Sequence, residues 1–117
     1  MGVRDILAEW NVTSYRTIDQ QALREITLGA SILATGGGGD PEIGLLWALN
    51  VVEQGNEILM IDPQAMPEDA LATIAGCLGA ALVLTEKPPN GDELFWCYDR
   101  LSRYLGKRIR AVIPAEA

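Results

Sequence analysis

The residues whose types and spacing could do chemistry in this chain centre on one short stretch, Thr35-Gly36-Gly37-Gly38-Gly39-Asp40. Consecutive glycines ahead of a helix start can turn their N–H groups inward into a concavity. With the helix dipole behind it, such a concavity attracts an anion, a carbonyl oxygen or a developing oxyanion. Thr35 would add a hydroxyl at the rim. Each glycine loses roughly 0.5–1 kcal/mol more than alanine on ordering, so the run is either a slack tether or a backbone shape that side chains would block. Both flanks are strongly patterned, which favours the shaped loop. Two plainer roles use the same residues: a sharp turn between two helices and a helix cap at Asp40.

Two familiar phosphate loops fail on this sequence. A P-loop ends in GK[ST], whereas these glycines run into Asp40-Pro41. A dinucleotide fingerprint needs a third glycine three residues after GxG, and that position falls on Pro41 or Glu42. Asp40 also sets a negative charge where a phosphate would sit. The chain contains no histidine. Ser-His-Asp and Cys-His catalysis, and every His-based metal site, are therefore closed to it alone. Cys77 and Cys97 show no CxxC or zinc-finger spacing and read as buried free thiols in a reducing cytoplasm.

The elements that would hold these residues follow from periodicity and punctuation. Val3, Ile6, Leu7 and Trp10 have helical spacing; "NVTSYRT" after them reads as a connection. Asp19 can cap a second helix from Gln20, with Leu23, Ile26, Ala30 and Leu33 on one face and a small strip at Gly29 and Ser31. The glycine run ends it. Asp40 as N-cap and Pro41 at the first helical position open the next helix, which Gly55 stops. "EILMIDP" (57–63) is a short apolar run of strand length. Leu71 to Gly76 reads as a second buried strand, although Pro67, Glu68 and Asp69 could instead start a helix. A Pro-Pro-Asn-Gly turn leads to a helix from about Asp92 to Leu105. Leu94, Phe95, Tyr98, Leu101 and Leu105 form its inner face, Gly106 stops it, and "RIRAVIP" closes as a strand. Strands separated by helices imply an α/β domain over residues 1–117. It would have a mixed or parallel sheet of three to four strands packed by helices and a helical N-terminal part.

Composition narrows the partners. The 117 residues are 49% hydrophobic and 21% charged, which reads as globular. Sixteen acidic against nine basic residues leave a formal charge of −7, which repels nucleic-acid phosphates and anionic membrane surfaces. Neither a signal peptide nor an 18-residue apolar run is visible, so the expected location is the cytoplasm.

"LGASILATGGGGDPEIGLLWAL" (28–49) resembles the N-terminal region of the S-methyl-thiohydantoin desulfurase-like family, related to hydantoinase and oxoprolinase proteins. That family's usual run looks like "GxxxLGTGGGGDP", with Gly mostly where this chain has Ala34. "EILMIDPQAMPEDAL" is similar to the family's strand and acidic turn, "AGCLGAALVLTEKPPNGDEL" to its "mGaPtv..EK.p.G.E" segment, and "YLGKRIRAVIPAEA" to the stretch leading into "EIGG.N". The likeness spans Ile18 to Glu116, with Ala80-Ala81 where relatives often have Ala-Pro.

The resemblance implies a substrate loop at Thr35, Gly36, Gly37, Gly38, Gly39 and Asp40, a second polar cluster at Glu86 and Lys87, and a third group at Glu116. It implies a hydrolase-like activity on a hydantoin or thiohydantoin-type cyclic amide, with Asp40 or Glu86 as base and Lys87 holding substrate. Relatives run on to more than twice this length, through the rest of an α/β domain and a β-rich second domain. On that comparison the chain is a small subunit, a truncated product or a repurposed remnant. Any metal would come from the missing portion, and the expected partners are a larger chain or further copies of this one, with a small-molecule ligand. The alternative expectation is a non-catalytic binding or assembly module.

Overall fold

The computed structural model describes residues 2–35, 37–87 and 89–115. Its elements run α1 (Val3–Glu9), β1 (Arg16–Thr17), α2 (Gln20–Leu33), α3 (Pro41–Glu53), β2 (Leu59–Met60), a 3₁₀ turn (Pro63–Ala65), β3 (Ala72–Ala75), α4 (Ala81–Glu86), α5 (Asp92–Leu105) and β4 (Ala111–Pro114). The architecture is mixed α/β with a helical N-terminal part, as expected from the sequence. The four strands form two pairs. β1 runs antiparallel to β2, Arg16 opposite Met60, and β3 runs parallel to β4, Ala72 opposite Ala111.

Helix boundaries sit where side chains satisfy the orphan N–H groups of the first turn. The Asp19 carboxylate accepts from the Ala22 N–H at 2.8 Å, opening α2, and the Asp40 carboxylate accepts from the Glu42 N–H at 2.9 Å, opening α3. Before α5, Glu93 accepts from the Asn90 and Gly91 N–H groups while the Asn90 side chain accepts from Asp92. These bonds, its own N–H first, hold the Glu93 carboxyl below the usual carboxylate range. Gly106 ends α5 at φ 63°, a left-handed conformation in which glycine carries no Cβ penalty.

The core is small. Ile18, Ala22, Leu23 and Leu49 are buried together where α2 packs on α3, with Leu45, Ala48, Val52 and Ile58 around them. Leu7 and Val12 are buried as well, but many apolar side chains lie open. Leu33 of α2 is 71% exposed, Ile74 of β3 69% and Phe95 of α5 61%, so the supposed inner face of α5 meets little that covers it. The accessible surface is 8765 Å², whereas a folded monomer of 12.7 kDa exposes about 6,200 Å². The excess over a compact monomer is about 2,500 Å².

Several sequence expectations need correcting. Cys77 and Cys97 are free but exposed, because Cys77 lies in the loop after β3 and Cys97 on the open side of α5. The "connection" after α1 contains β1, held to the second strand by the Ile18 N–H donating to the Ile58 C=O at 2.9 Å. The segment before the Pro-Pro turn holds a helix, α4, which the sequence did not announce.

Candidate functional site

The glycine loop is a shaped backbone over its described part. α2 ends with the Ala34 N–H donating to Ala30, and the Gly37 N–H donates back to the Ala34 C=O at 2.9 Å. Thr35 takes φ 48°, Gly38 φ 75° and Gly39 φ 91°. A non-glycine residue at positive φ is uncommon, and a β-branched one more so, which marks Thr35 as a held position. Asp40 returns the chain to extended geometry and its C=O receives the Gly44 N–H, the first turn of α3. Among the described residues no partner is recorded for the Gly38 and Gly39 N–H groups, while the Gly37 N–H is spent on the main chain.

The loop leans on α4. A Cβ built on Gly39 would lie 3.4 Å from Leu84 Cδ1, so the half-buried Leu84 forms the wall behind the loop. α4 ends at Glu86 and Lys87 caps it, donating its backbone N–H to Val83. The fold therefore brings the glycine loop against the helix that carries the second polar cluster. It does not bring Asp40 to Glu86 or Lys87 by any hydrogen bond or ion pair among the described residues.

Thr35, Asp40, Glu86 and Lys87 are all exposed, and Gly39 is partly covered. Neither Asp40 nor Glu86 is buried among the described residues, and the Asp40 carboxylate is engaged in capping α3. Gly36 and Glu116, also singled out from the sequence, lie outside the described residues. Among the described residues no cluster of three metal-ligating side chains occurs.

Residues 21–117 match the family model described as "S-Me-THD-like, N-terminal domain". The chain belongs to this family. The match covers the glycine loop, α4 and both strands of the parallel pair, whereas α1 and β1 precede it. No curated protein and no solved structure matches the chain. Among the described residues no helix is long and apolar enough to cross a membrane.

Two features of this S-Me-THD-like domain were not found by sequence reasoning. Leu84 is the loop's neighbour, yet "ALVLTE" has neither a capping side chain nor the length that makes a helix legible. On α5 the Tyr98 hydroxyl is buried with no partner among the described residues. Burial, then the nearby Cys97 and Cys77 thiols, push its pKa above the usual tyrosine value.

Proposed function

We propose that this chain is the substrate-loop part of a hydrolase-like enzyme that acts on a hydantoin or thiohydantoin-type ring, completed by further polypeptide. The observation that carries the reading is the loop itself. Positive φ at Thr35, Gly38 and Gly39 turns successive peptide units ahead of the α3 N-terminus, leaving N–H groups with no partner recorded among the described residues. Membership of an S-Me-THD-like family supports this choice of ring.

In this reading the Gly38 and Gly39 amides donate to the ring oxygen or nitrogen that gains negative charge when water adds to the carbon beside it. The helix dipole adds to them. Glu86 takes the proton from the attacking water and returns it to the leaving group as the ring C–N bond of a hydantoin, or the C–S bond of an S-methyl-thiohydantoin, breaks; Lys87 holds an anionic substituent, and Thr35 gives a hydroxyl at the rim. Proton abstraction at neutral pH needs Glu86 desolvated, so the completing polypeptide must cover the α4 end of the site. Asp40 serves the site by fixing the α3 N-terminus, and is the second choice for the base. A metal, if the reaction uses one, is supplied by the completing part.

The test is hydrolysis of hydantoin and an S-methyl-thiohydantoin, followed by ring absorbance, with the chain purified together with the polypeptide it binds. Gly38→Val keeps its N–H but is strained at φ 75°, which should turn that donor away and lower kcat by about 10²–10³. Turnover unchanged in Gly38→Val overturns the proposal. A second reading, an assembly module without catalysis, is favoured by the 8765 Å² of exposed surface; the same assay decides it, since the module shows no turnover in any combination.

A further inference from the structure

Of the asparagines in the chain, Asn90 is the one followed by glycine. An asparagine side-chain amide can close on the backbone nitrogen of the next residue, and a glycine there, having no Cβ, leaves that nitrogen open to approach. Asn90 is exposed, and a Cβ built on Gly91 would meet nothing within 4 Å, so no neighbour bars the closure. The pair is sterically free to react.

What holds it is Glu93. Its carboxylate accepts from the Gly91 N–H at 3.0 Å and from the Asn90 N–H at 3.2 Å. The Asn90 Oδ1 in turn accepts from the Asp92 N–H at 2.9 Å, which keeps the side-chain amide in place. The Gly91 nitrogen must lose its proton before it can attack. An N–H bonded to a carboxylate is a poorer acid, and a hydrogen bond to a charged group is among the stronger ones to break. Glu93 therefore works against the reaction that the dipeptide invites.

We propose that Asn90-Gly91 is a spontaneous deamidation site, kept closed by Glu93 while the first turn of α5 stands and opened when that turn frays. In the reaction the Gly91 nitrogen gives its proton to solvent and bonds to Asn90 Cγ. The Cγ–Nδ2 bond breaks, and Nδ2 leaves as ammonia with a proton from water. Water then opens the cyclic imide. Opening at Cγ leaves aspartate; opening at the main-chain carbonyl leaves isoaspartate, which adds a methylene to the backbone. Either product sets a new carboxylate beside Asp92 and Glu93, and isoaspartate also displaces the N–H groups that Glu93 holds. The inference stands apart from the proposed chemistry, because it uses neither the glycine loop nor α4.

The test is incubation of the full chain in neutral buffer, with conversion at Asn90 followed by mass spectrometry of its proteolytic peptide. Conversion should be slow in the folded parent and at least about tenfold faster in urea and in folded Glu93→Ala, whose lost bond had a charged acceptor. Glu93→Gln, which keeps the length and one neutral acceptor, should fall between them, and it decides the matter if Glu93→Ala does not fold. Aspartate and isoaspartate should both form, the mark of the imide, while Asn56, followed by Glu57, stays intact. A parent as fast folded as in urea overturns the proposal, as do folded variants no faster than the parent. Aspartate as the sole product, conversion of Asn56 at the same pace, or no conversion in urea overturns it too.

Discussion

Replacing Gly39 by alanine asks how firmly the loop is held. Gly39 has φ 91°, where an L-residue is strained by about 1–2 kcal/mol. The loss of unfolded-state freedom returns about 0.4–1 kcal/mol. The added methyl would meet Leu84 Cδ1 at 3.4 Å, near an ordinary contact, so sterics add little. The net expectation is destabilisation by about 1 kcal/mol, or roughly 4 °C in Tm for a domain of this size. Gly44→Ala is the internal control. It lies inside α3 with nothing within 4 Å of the new methyl, and should stabilise by about 0.5–1 kcal/mol. Urea and thermal melts followed by circular dichroism should thus give opposite signs for one substitution type. A Gly39→Ala variant as stable as Gly44→Ala would mean that the loop is not held at positive φ, and the donor-lined shape would go with it.

Other outcomes follow from the same contacts. Asp19→Ala removes the bond to the Ala22 N–H and should cost about 1 kcal/mol in chemical denaturation, with Asn retaining most of it. Tyr98→Phe deletes a buried hydroxyl without a recorded partner and should leave stability unchanged or raise it by up to about 1 kcal/mol. Because the folded-state pKa of Tyr98 is raised, its contribution is complete below the unfolded value and disappears as pH rises through the folded one. Tyr98→Phe should therefore flatten the alkaline limb of a stability–pH curve. Glu57 has the opposite sign. Its bidentate bond to the Arg4 guanidinium, at 2.6–2.9 Å, lowers its pKa, so its contribution is present above the unfolded value and lost as pH falls through the folded one. Glu57→Gln should remove that acid-side loss, and high salt should shrink it because the pair is exposed.

The sequence was legible wherever a side chain meets its own backbone. Asp19, Asp40-Pro41 and Gly106 mark helix ends by local bonds and φ preference, and α2, α3 and α5 lie where those residues put them. The apolar runs around Leu59, Ala72 and Ala111 became strands for a similar reason, being too short and too apolar for exposed helices. What could not be read was partnership. Periodicity says that Leu94, Phe95 and Leu105 share a face; it does not say that anything covers them, and they are left open. Arg16 and Thr17 are both exposed and carry no alternation, so only the tertiary pairing with β2 makes them a strand. α4 escaped because Ala80 offers no side-chain cap and β-branched Val83 and Thr85 weaken helix propensity. At the candidate site the loop's shape was visible in the glycines, while its contact with Leu84 depends on packing between segments about 45 residues apart.

The most direct measurement is a titration of the isotopically labelled chain with hydantoin, read by amide and methyl resonances. If a ring oxygen enters the loop, the Gly38 and Gly39 amides move together and saturably, with the Leu84 methyls following. Resonances that stay fixed between Thr35 and Asp40 while others shift, or no shift anywhere at saturating ligand, would contradict the account.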